Sequence, residues 1–511
     1  MDGRADGDDG AGGVTRPAWA VHLPPGADWR DVDLLAEGSL PGAWTRRWRA
    51  EPERPIVHDE TAGWLTAGDL LARSARVAGR LAGAGLRRGE RVLLSGPATN
   101  EFVIVHVAAM RSGLVVIPVN SSYTARELAA LIETARPAGA ILGAPGLRDA
   151  ARAVDPDLVI VDVDVDLPEH PAPELDVVTA ADPALLPYTS GTTGRPKGVL
   201  LSHGNLLASA EAIRLAWRWT DADRLILALP LFHVHGLGVG LHGTLLAGAS
   251  AILHDRFDPE QVLAAAADAT MFFGVPTMYA RLVDADGVER LGTLRLCVSG
   301  SAPLSAALHE QIAQRCGQHV LERYGMTETI MLVSNPYDGE RRPGSVGFPF
   351  PGVELRLGPA DEILVKGPNV FSGYVGAVDA NATAFDADGW FRTGDIGRLD
   401  DDGYLRIVGR SKELIISGGF NVFPREVEDV LRDHPSVRDV AVVGTPSAEW
   451  GEIVTAYIET DDTELDVEAV SAWAAARLVG YKQPRLIHRI DELPRNKLGK
   501  IVRGDLVPPA P

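Results

Sequence analysis

The alternation of apolar and polar positions predicts helices and strands in turn along the first 120 residues. Residues 66–84 fit a helix that Thr66 and Asp69 cap at its start, and its apolar face is formed by Leu70, Val77 and Leu81. Further apolar runs predict a strand at 91–95, a helix at 102–111 and a strand at 114–118. Strands that alternate with helices are typical of parallel sheets covered on both faces, so we expect an α/β fold.

The pattern changes after Gly389, where turn residues separate short apolar runs. The last part of the chain then has its own order of elements: helices at 426–432 and 467–478, and strands at 438–443 and 453–459. A segment of about 100 residues suits a small α+β domain. We place the boundary near 409–412. The predicted division is a disordered tail at 1–20, a large domain at 21–409 and a small C-terminal domain at 410–511.

The amino-acid composition indicates which kinds of binding partner the protein is suited to. Of the 511 residues, 46% are hydrophobic and 23% are charged, which is typical of a globular enzyme with a large buried core. The formal net charge of -20 disfavours nucleic acid and anionic membrane surfaces as partners. We therefore expect small-molecule partners and no nucleic acid, and a monomer or a homodimer.

Cysteine usage and the most apolar segments bear on location. The two cysteines, Cys297 and Cys316, lie in apolar surroundings and fit a reducing compartment. Residues 1–13 lack the apolar region of a signal peptide. The most apolar stretch, 237–253, contains His242 and several glycines and is too short to span a bilayer. We expect a cytoplasmic protein with no membrane span.

The segment YTSGTTGRPKG at 188–198 is the strongest chemical pattern in the chain. Its glycines let the backbone approach a phosphate closely, and its hydroxyls donate hydrogen bonds to phosphate oxygens, while Lys197 adds positive charge. It is not a Walker A loop, because Pro196 precedes the lysine and Gly198 follows it. The segment predicts a site for the phosphates of a nucleotide.

This loop resembles the phosphate loop of the adenylate-forming superfamily, which includes acyl-CoA synthetases, peptide-synthetase adenylation domains and firefly luciferase. Further blocks match in the family's order: SGSAP at 299–303, YGMTE at 324–328, WFRTGD at 390–395, GR at 409–410, KEL at 412–414, SGG at 417–419 and PRNKLGK at 494–500. The resemblance covers roughly residues 45–505. It implies a large N-terminal AMP-binding domain of parallel and mixed sheets with a small distorted β-barrel, and a small, mobile C-terminal α+β domain.

The resemblance also implies an activity and its co-substrates. A carboxylic acid reacts with ATP to give an acyl-adenylate and pyrophosphate, and the acyl group then passes to CoA. The resemblance implies several groups of ATP-binding residues. The phosphates would be bound by Thr189, Ser190, Gly191, Thr192, Thr193, Gly194 and Lys197, and the α-phosphate by Thr327. Asp395 would bind the ribose, Arg410 the ribose or a phosphate, and adenine would lie between Gly300, Ser301 and Ala302 and the Tyr324 ring, while Glu322, Gly325 and Lys500 complete the nucleotide-binding set.

Metal binding and domain movement follow from the same resemblance. Mg²⁺ would be held by Glu328 and Thr192, in keeping with its preference for oxygen ligands. Lys500 is the catalytic lysine that bridges the carboxylate and the α-phosphate. Lys412 is the hinge about which the C-terminal domain rotates, and Ser417, Gly418 and Gly419 then line the tunnel for CoA.

For the acid, the segments at 321–329, 334–347 and 367–371 are most similar to malonyl-CoA synthetases. In that subfamily the arginine before the tyrosine, here Arg323, pairs with the distal carboxylate. His233 resembles the gate residue beside the carboxylate that is activated. The implied substrate residues are His233, Ser299, Arg323, Met326 and Leu332.

Residues 330–333 (IMLV) depart from the malonate pattern, because they are apolar where the subfamily has Asn-Thr at the last two positions. An acid-activating ligase of specialised metabolism for an aryl or unsaturated acid, with either CoA or another nucleophile as the acceptor, therefore stays open. Two further alternatives are disfavoured. The pair His233 and His235 lacks the additional ligands of a zinc site. A non-catalytic nucleotide-binding module would have lost some of the charged positions Lys197, Glu328, Asp395 and Lys500.

Overall fold

The computed structural model describes residues 15–162, 170–189, 197–447, 449–462, 465–496 and 499–506. Within them the chain forms an α/β fold of mixed sheets flanked by helices, as predicted. The helices are Leu40–Ala50, Ala67–Gly83, Asn100–Arg111, Ala125–Ala135, Pro145–Val154, His203–Ala216, His242–Ala247, Pro259–Ala265, Pro276–Val283, Ala306–Cys316, Val378–Ala384, Pro424–Arg432 and Val467–Ala475, together with the π-helix His235–Leu241.

The helix Ala67–Gly83 confirms the first sequence prediction. The Asp69 N–H donates to Thr66 Oγ1 at 3.1 Å, and the Thr66 N–H donates to Asp69 Oδ2 at 3.3 Å, so the predicted pair forms a capping box. The predicted apolar face is buried in the core. Local sequence and burial therefore agree in this element.

The largest sheet has nine strands and carries most of the predicted site. In spatial order the strands are Phe348–Pro349, Val333–Ser334, Leu321–Tyr324, Leu296–Ser299, Met271–Gly274, Arg224–Leu227, Ser250–Leu253, Pro55–Asp59 and Gly63–Thr66. Neighbours from Leu321–Tyr324 through Pro55–Asp59 are parallel, and the strands at both ends are antiparallel. The carboxyl ends of the parallel strands thus meet at one edge, where α/β folds place their ligands.

The second sheet has six strands, which are Leu201–Ser202, Pro183–Leu185, Val115–Pro118, Arg91–Ser95, Gly139–Leu142 and Val159–Ile160 in spatial order. The predicted strands at 91–95 and 114–118 are its parallel central pair. The short strand Val159–Ile160 forms one edge of this sheet, and residues 163–169 lie outside the described part.

Three smaller sheets complete the described chain. An antiparallel sheet consists of Glu354–Leu357, Glu362–Lys366, Phe391–Leu399 and Leu405–Arg410. A three-stranded sheet joins Tyr374–Val375, Lys197–Val199 and Tyr188–Thr189. The last sheet, in the C-terminal region, contains Phe420–Val422, Ile415–Ser417, Gly451–Glu459, Asp439–Ser447 and Leu486–Ile490. Its central hairpin is longer than predicted, because Asp439–Ser447 pairs with Gly451–Glu459 along its full length.

The chain is ordered earlier than the predicted tail allows. Ala18–His22 forms a 3₁₀ helix, and Ala20 and His22 are buried. His22 Nε2 lies 3.2 Å from the Phe348 carbonyl oxygen, and its ring stacks on Phe350 with centroids 5.6 Å apart. The predicted tail at 1–20 is therefore corrected at its end, because apolar contacts fix residues 18–20 against the large sheet.

The apolar stretch at 237–253 lies inside the large domain. It contributes to the π-helix, to His242–Ala247 and to the strand Ser250–Leu253, and its side chains are mostly buried. Among the described helices, none combines the length and the apolar character that crossing a bilayer requires.

Three fully buried histidines lie around this stretch. His106 Nε2 and His242 Nε2 are 2.8 Å apart, and their rings stack with centroids 5.1 Å apart. Burial lowers the pKa of His106 to about 3 and that of the neighbouring His203 to about 4. The pKa of His242 is also lowered by burial, so the cluster is neutral at ordinary pH.

Candidate active site

The predicted site residues gather at the carboxyl edge of the parallel strands Leu296–Ser299 and Leu321–Tyr324. Each strand is followed by a glycine, Gly300 and Gly325. A Cβ atom at Gly325 would lie 2.2 Å from the Ile330 carbonyl oxygen, so only glycine allows the chain to fold back there. This close turn holds the block at 324–328 in position.

Arg323 is a buried cation beside the first of these glycines. Its side chain is 5% exposed, and a Cβ atom at Gly300 would lie 2.4 Å from Arg323 Cζ, so the guanidinium lies directly against the glycine backbone. Nε and Nη2 have no hydrogen-bond partner in the described part of the chain. Burial lowers the pKa of Arg323 to about 9. The buried Arg323 cation thus has two N–H donor groups, at Nε and Nη2, that could bind an acceptor on a ligand.

Two histidines lie next to this guanidinium. The His235 N–H donates to His233 Nδ1 at 3.1 Å, and His235 Nδ1 is 3.2 Å from Ser301 Oγ. Burial first, and then the charges of Lys500 and Arg323, lower the pKa of His233 to about 3. His233 is therefore neutral, with Nδ1 as an acceptor, and its Nε2 carries the ring proton.

Tyr324, Asp395 and Arg410 form a second group. The Tyr324 hydroxyl donates to Asp395 Oδ2 at 2.5 Å, and Arg410 Nε lies 3.2 Å from Asp395 Oδ1. Asp395 and Arg410 are paired across the strands Phe391–Leu399 and Leu405–Arg410, which sets their separation. Burial raises the pKa of the Asp395 carboxyl, and the Arg410 charge opposes this rise.

Glu328 connects to the phosphate loop through Tyr374, a residue that the sequence did not single out. The Tyr374 hydroxyl donates to Glu328 Oε1 at 2.9 Å, and Lys197 Nζ lies 5.4 Å from the centroid of the Tyr374 ring. Glu328 is 6% exposed, and burial raises its pKa. Nothing in the local sequence marks Tyr374, because its partners lie far away along the chain.

The two arms of the phosphate loop are paired. Thr189 is opposite Lys197 in the antiparallel pair Tyr188–Thr189 and Lys197–Val199, so the loop begins and ends at one point. The predicted phosphate contacts between these arms, Ser190, Gly191, Thr192, Thr193 and Gly194, lie outside the described residues.

Lys500 reaches the same edge from the C-terminal region. A Cβ atom at Gly499 would lie 2.9 Å from Thr277 Oγ1, which shows that this loop contacts the start of the helix Pro276–Val283. Burial, followed by the charges of Arg410 and Arg323, lowers the pKa of the Lys500 ammonium. Arg503, three residues further on, lies 3.3 Å from Glu413 Oε2 and donates to Glu428 Oε1 at 2.7 Å.

Other predicted residues take different places. Thr327, Met326, Ser301 and Ala302 are partly exposed in the turns at this edge. Ser299 is fully buried, and its Oγ has no hydrogen-bond partner among the residues that the structure describes. Glu322 Oε1 accepts from the Leu304 N–H at 3.1 Å, Oε2 has no partner in the described residues, and burial raises its pKa to about 7.

Leu332 is 0% exposed and packs within the hydrophobic core, and its contact with the acid stays a prediction. Its backbone also lies within a ladder, because the Leu332 N–H donates to the Tyr324 carbonyl oxygen at 3.0 Å.

The predicted hinge and CoA residues lie within the C-terminal region. Lys412 is exposed in the short turn Ser411–Glu413. Ser417 is buried within its own sheet, while Gly418 and Gly419 form the exposed turn of a hairpin with positive φ angles of 58° and 84°. In this orientation of the C-terminal region, the Lys500 loop contacts the large domain through Gly499, while the turn at Gly418 and Gly419 is exposed.

Metal ligands do not cluster in the described part of the chain, where no group of three or more His, Cys, Asp or Glu side chains is placed to hold an ion. His233 and His235 are bonded to each other through a ring nitrogen and a backbone N–H.

Comparison with known protein families fits this geometry. Residues 44–375 match the model of the AMP-binding enzymes, and residues 426–500 match that of the AMP-binding enzyme C-terminal domain. The chain belongs to the AMP-binding enzyme family. Within the family it is an AMP-forming acyl-CoA ligase, which uses ATP and CoA, and the predicted superfamily is thereby confirmed.

Individual family members are similar over nearly their whole length. The feruloyl-CoA synthase of Amycolatopsis sp is 37% identical over 492 residues, covering 91% of this chain and 98% of the relative. The crystal structure of ATP-bound MatB from Rhodopseudomonas palustris is 37% identical with a TM-score of 0.87, covering 91% and 98% of the two chains. A malonyl-CoA ligase, in a ternary product complex with methylmalonyl-CoA and AMP, is 41% identical with a TM-score of 0.64, covering 87% and 97%.

Proposed function

We propose that this AMP-binding enzyme activates malonate or a related small dicarboxylate and transfers the acyl group to CoA. The observation that carries the proposal is the buried Arg323 guanidinium, with two nitrogen atoms that lack a partner in the described residues. A second carboxylate on the acid would supply charged acceptors for these donors. A charge-assisted hydrogen bond of this kind contributes about 1.5–3 kcal/mol. A monocarboxylate would leave the buried cation unpaired, so selection would come from exclusion as well as attraction.

The first chemical step joins two anions, the carboxylate and the α-phosphate. Lys500 lies close enough to Arg323 for their charges to affect each other, so its ammonium group is suited to bridge the two reactants. Thr327 would donate to the α-phosphate. His233 is neutral and can donate from Nε2 to the carboxylate under attack, without adding a charge of its own.

Magnesium fits this arrangement through Glu328. A buried carboxylate whose pKa is raised by burial is stabilised in its ionised form by a nearby cation, and its oxygen atoms are the ligands that Mg²⁺ prefers. Glu328 and, by resemblance, Thr192 would hold the ion. Bound there, Mg²⁺ would neutralise phosphate charge during the transfer.

The nucleotide would lie between the two strand edges. We assign the ribose hydroxyls to Asp395, whose carboxylate is already oriented by Tyr324 and Arg410. Adenine would pack between the backbone at 300–302 and the Tyr324 ring, with Glu322 at its rim.

The second step needs another arrangement of the C-terminal domain, for which we keep the predicted boundary at 409–412 and the hinge at Lys412. Rotation there would remove Lys500 and bring Ser417, Gly418 and Gly419 to the adenylate. A Cβ atom at Gly419, in the exposed turn, would meet no other atom within 4 Å, so this turn leaves room for a slender thiol arm. The two free thiols, Cys297 and Cys316, support a cytoplasmic location.

The direct test is pyrophosphate release from ATP with a panel of acids. Malonate, methylmalonate and succinate are compared with acetate, butyrate and ferulate, each with and without CoA, and thioester products are identified by mass spectrometry. We expect malonate or methylmalonate to give the highest kcat/KM and a CoA thioester. Equal or better activity with butyrate than with every dicarboxylate would contradict the assignment of Arg323.

An aryl or unsaturated acid is the second candidate, and the similarity to a feruloyl-CoA synthase favours it. The apolar residues at 330–333, which suggested such an acid, are all buried in the hydrophobic core and would give any pocket that they border an apolar wall. Pyrophosphate release with ferulate and with none of the other acids in the panel would favour this candidate. Pyrophosphate without any thioester would indicate an acceptor other than CoA.

A further inference from the structure

Tyr374 lies where three parts of the proposed site meet. Its hydroxyl donates to Glu328 Oε1 at 2.9 Å, and its ring faces Lys197 Nζ at 5.4 Å from the centroid. Its strand, Tyr374–Val375, is the neighbour of Lys197–Val199, the second arm of the phosphate loop. One side chain therefore contacts both the lysine for the phosphates and the carboxylate proposed for the metal.

The surroundings of Tyr374 fix its position. The Tyr374 N–H donates to Asn381 Oδ1 at 2.7 Å, and Asn381 Nδ2 donates to the Tyr374 carbonyl oxygen at 2.8 Å. These bonds occupy both backbone groups at the edge of the three-stranded sheet. The Phe371 ring packs against the Tyr374 ring in a T-shaped contact, with centroids 4.8 Å apart. The hydroxyl is thereby held at a defined point.

The ring also separates opposite charges. Lys197 and Glu328 form no ion pair within the described part of the chain, although both contact Tyr374. A direct pair would neutralise each group before the nucleotide arrived. The ring face offers the ammonium a weaker, cation–π contact, while the hydroxyl fixes one carboxylate oxygen and leaves the other to a ligand.

We propose that Tyr374 is a positioning residue that orients Glu328 toward the metal and keeps Lys197 apart from it. This inference rests on the proposed role of Glu328 as a metal ligand. Tyr374→Phe keeps the ring and its contact with Lys197 and removes only the hydroxyl. Loss of a hydrogen bond to a charged group predicts metal binding that is weaker by about tenfold or more.

The test measures Mn²⁺ binding in the presence of α,β-methylene-ATP, by the loss of the free-ion signal in electron paramagnetic resonance. We expect Tyr374→Phe to bind Mn²⁺ about tenfold more weakly than the wild-type enzyme. In pyrophosphate release, raised Mg²⁺ should restore kcat, which a general structural defect would not allow. Tyr404→Phe is the matched control, because it removes a hydroxyl that donates to the Glu340 carbonyl oxygen at 2.9 Å instead.

The variant Glu328→Gln distinguishes the positioning role of Tyr374 from the metal-ligand role of Glu328 on which it rests. Weak Mn²⁺ binding in Glu328→Gln with wild-type binding in Tyr374→Phe would overturn the role of Tyr374 alone. Wild-type binding in both variants would overturn the metal ligand and the positioning role together. Weak binding in Tyr374→Phe that raised Mg²⁺ does not rescue, together with a lowered thermal midpoint, would mean that the tyrosine only supports the fold.

Discussion

At the scale of single residues, Arg323 holds a charge in a place where water cannot solvate it. The lowered pKa of its guanidinium reflects the free energy that burial costs, and the two nitrogen atoms without partners show that the described residues do not offset it. A ligand that brings an acceptor gains this free energy on binding. In the proposed function, this gain would favour an acid that carries a second carboxylate.

Replacing this arginine should change which acid is preferred. We expect Arg323→Met to lower kcat/KM for malonate by about 10- to 100-fold, because a charge-assisted pair is lost, and to raise it for butyrate. Steady-state pyrophosphate release with the two acids measures this ratio. Arg398→Met, at an exposed position, is the control and should leave the ratio unchanged.

The pH dependence of adenylation should report Lys500. The lysine acts as a cation, so activity is lost as pH rises through its pKa, which burial and the charges of Arg410 and Arg323 hold below 10.5. Removing the Arg323 charge raises this pKa, so Arg323→Met should move the alkaline limb of kcat/KM to higher pH. An alkaline limb that moves to lower pH in this variant would contradict the proximity of the two groups.

Lys500→Ala should lower pyrophosphate release by about 10²- to 10³-fold, as expected when a group that stabilises transition-state charge is removed. ATP binding, measured by calorimetry without acid, should persist, since all the other proposed nucleotide contacts except Arg410 come from the large domain. Lys366→Ala is a control at an exposed position. Loss of ATP binding in Lys500→Ala would show that the lysine holds the nucleotide instead of acting in the reaction.

At the scale of elements, the loop that carries Lys500 meets the start of Pro276–Val283 through Gly499. This glycine has a φ angle of 75°, which favours glycine, and it has little space beside Thr277 Oγ1. The position of the lysine is thus constrained by contact between the Gly499 backbone and the Thr277 side chain. A side chain at 499 would alter one half-reaction and not the other.

Gly499→Ala should therefore impair the first half-reaction selectively. We expect slower adenylate formation, and near-normal thioester formation when synthetic acyl-adenylate and CoA are supplied. Gly504→Ala is the matched control, since a Cβ atom there meets no other atom within 4 Å. Equal losses in both half-reactions would show that this contact is not specific to the adenylation arrangement.

Elements also show what a sequence can and cannot predict. The helix Ala67–Gly83 and its cap depend on residues three apart, so a local pattern was sufficient. Tyr374 and Glu328 are 46 positions apart, and only the fold brings them together. The burial of Leu332 could not be predicted because an apolar residue beside a site has the same sequence pattern whether it faces the ligand or the core. The motifs located the site, and the contacts between them needed the structure.

At the scale of the whole molecule, the buried histidines make stability depend on pH. His106 has a pKa of about 3 when folded against a usual value of 6.5, so below pH 6.5 the unfolded chain binds a proton that the folded chain does not. Stability is therefore retained above pH 6.5 and falls as pH drops toward 3. Each such histidine costs about 1.4 kcal/mol for each pH unit below 6.5.

Urea unfolding at pH 7 and pH 5 tests whether the buried histidines cause the loss of stability at acid pH. The free energy of unfolding should fall between these values in the wild type and fall less in His106→Gln, whose amide does not titrate. His170→Gln, at an exposed position, should behave as the wild type does. An equal loss in His106→Gln and the wild type would assign the acid sensitivity to other groups.

The contact of Arg503 with Glu413 has a consequence for the order of events. Glu413 is next to the proposed hinge residue, and Arg503 follows the catalytic lysine closely in the chain, so one ion pair ties the pivot to the lysine loop. If the C-terminal domain rotates at Lys412 as proposed, this ion pair would make the Lys500 loop move together with the pivot. Such a link would protect the acyl-adenylate, because the cation that could help pyrophosphate to return would have left before the thiol entered.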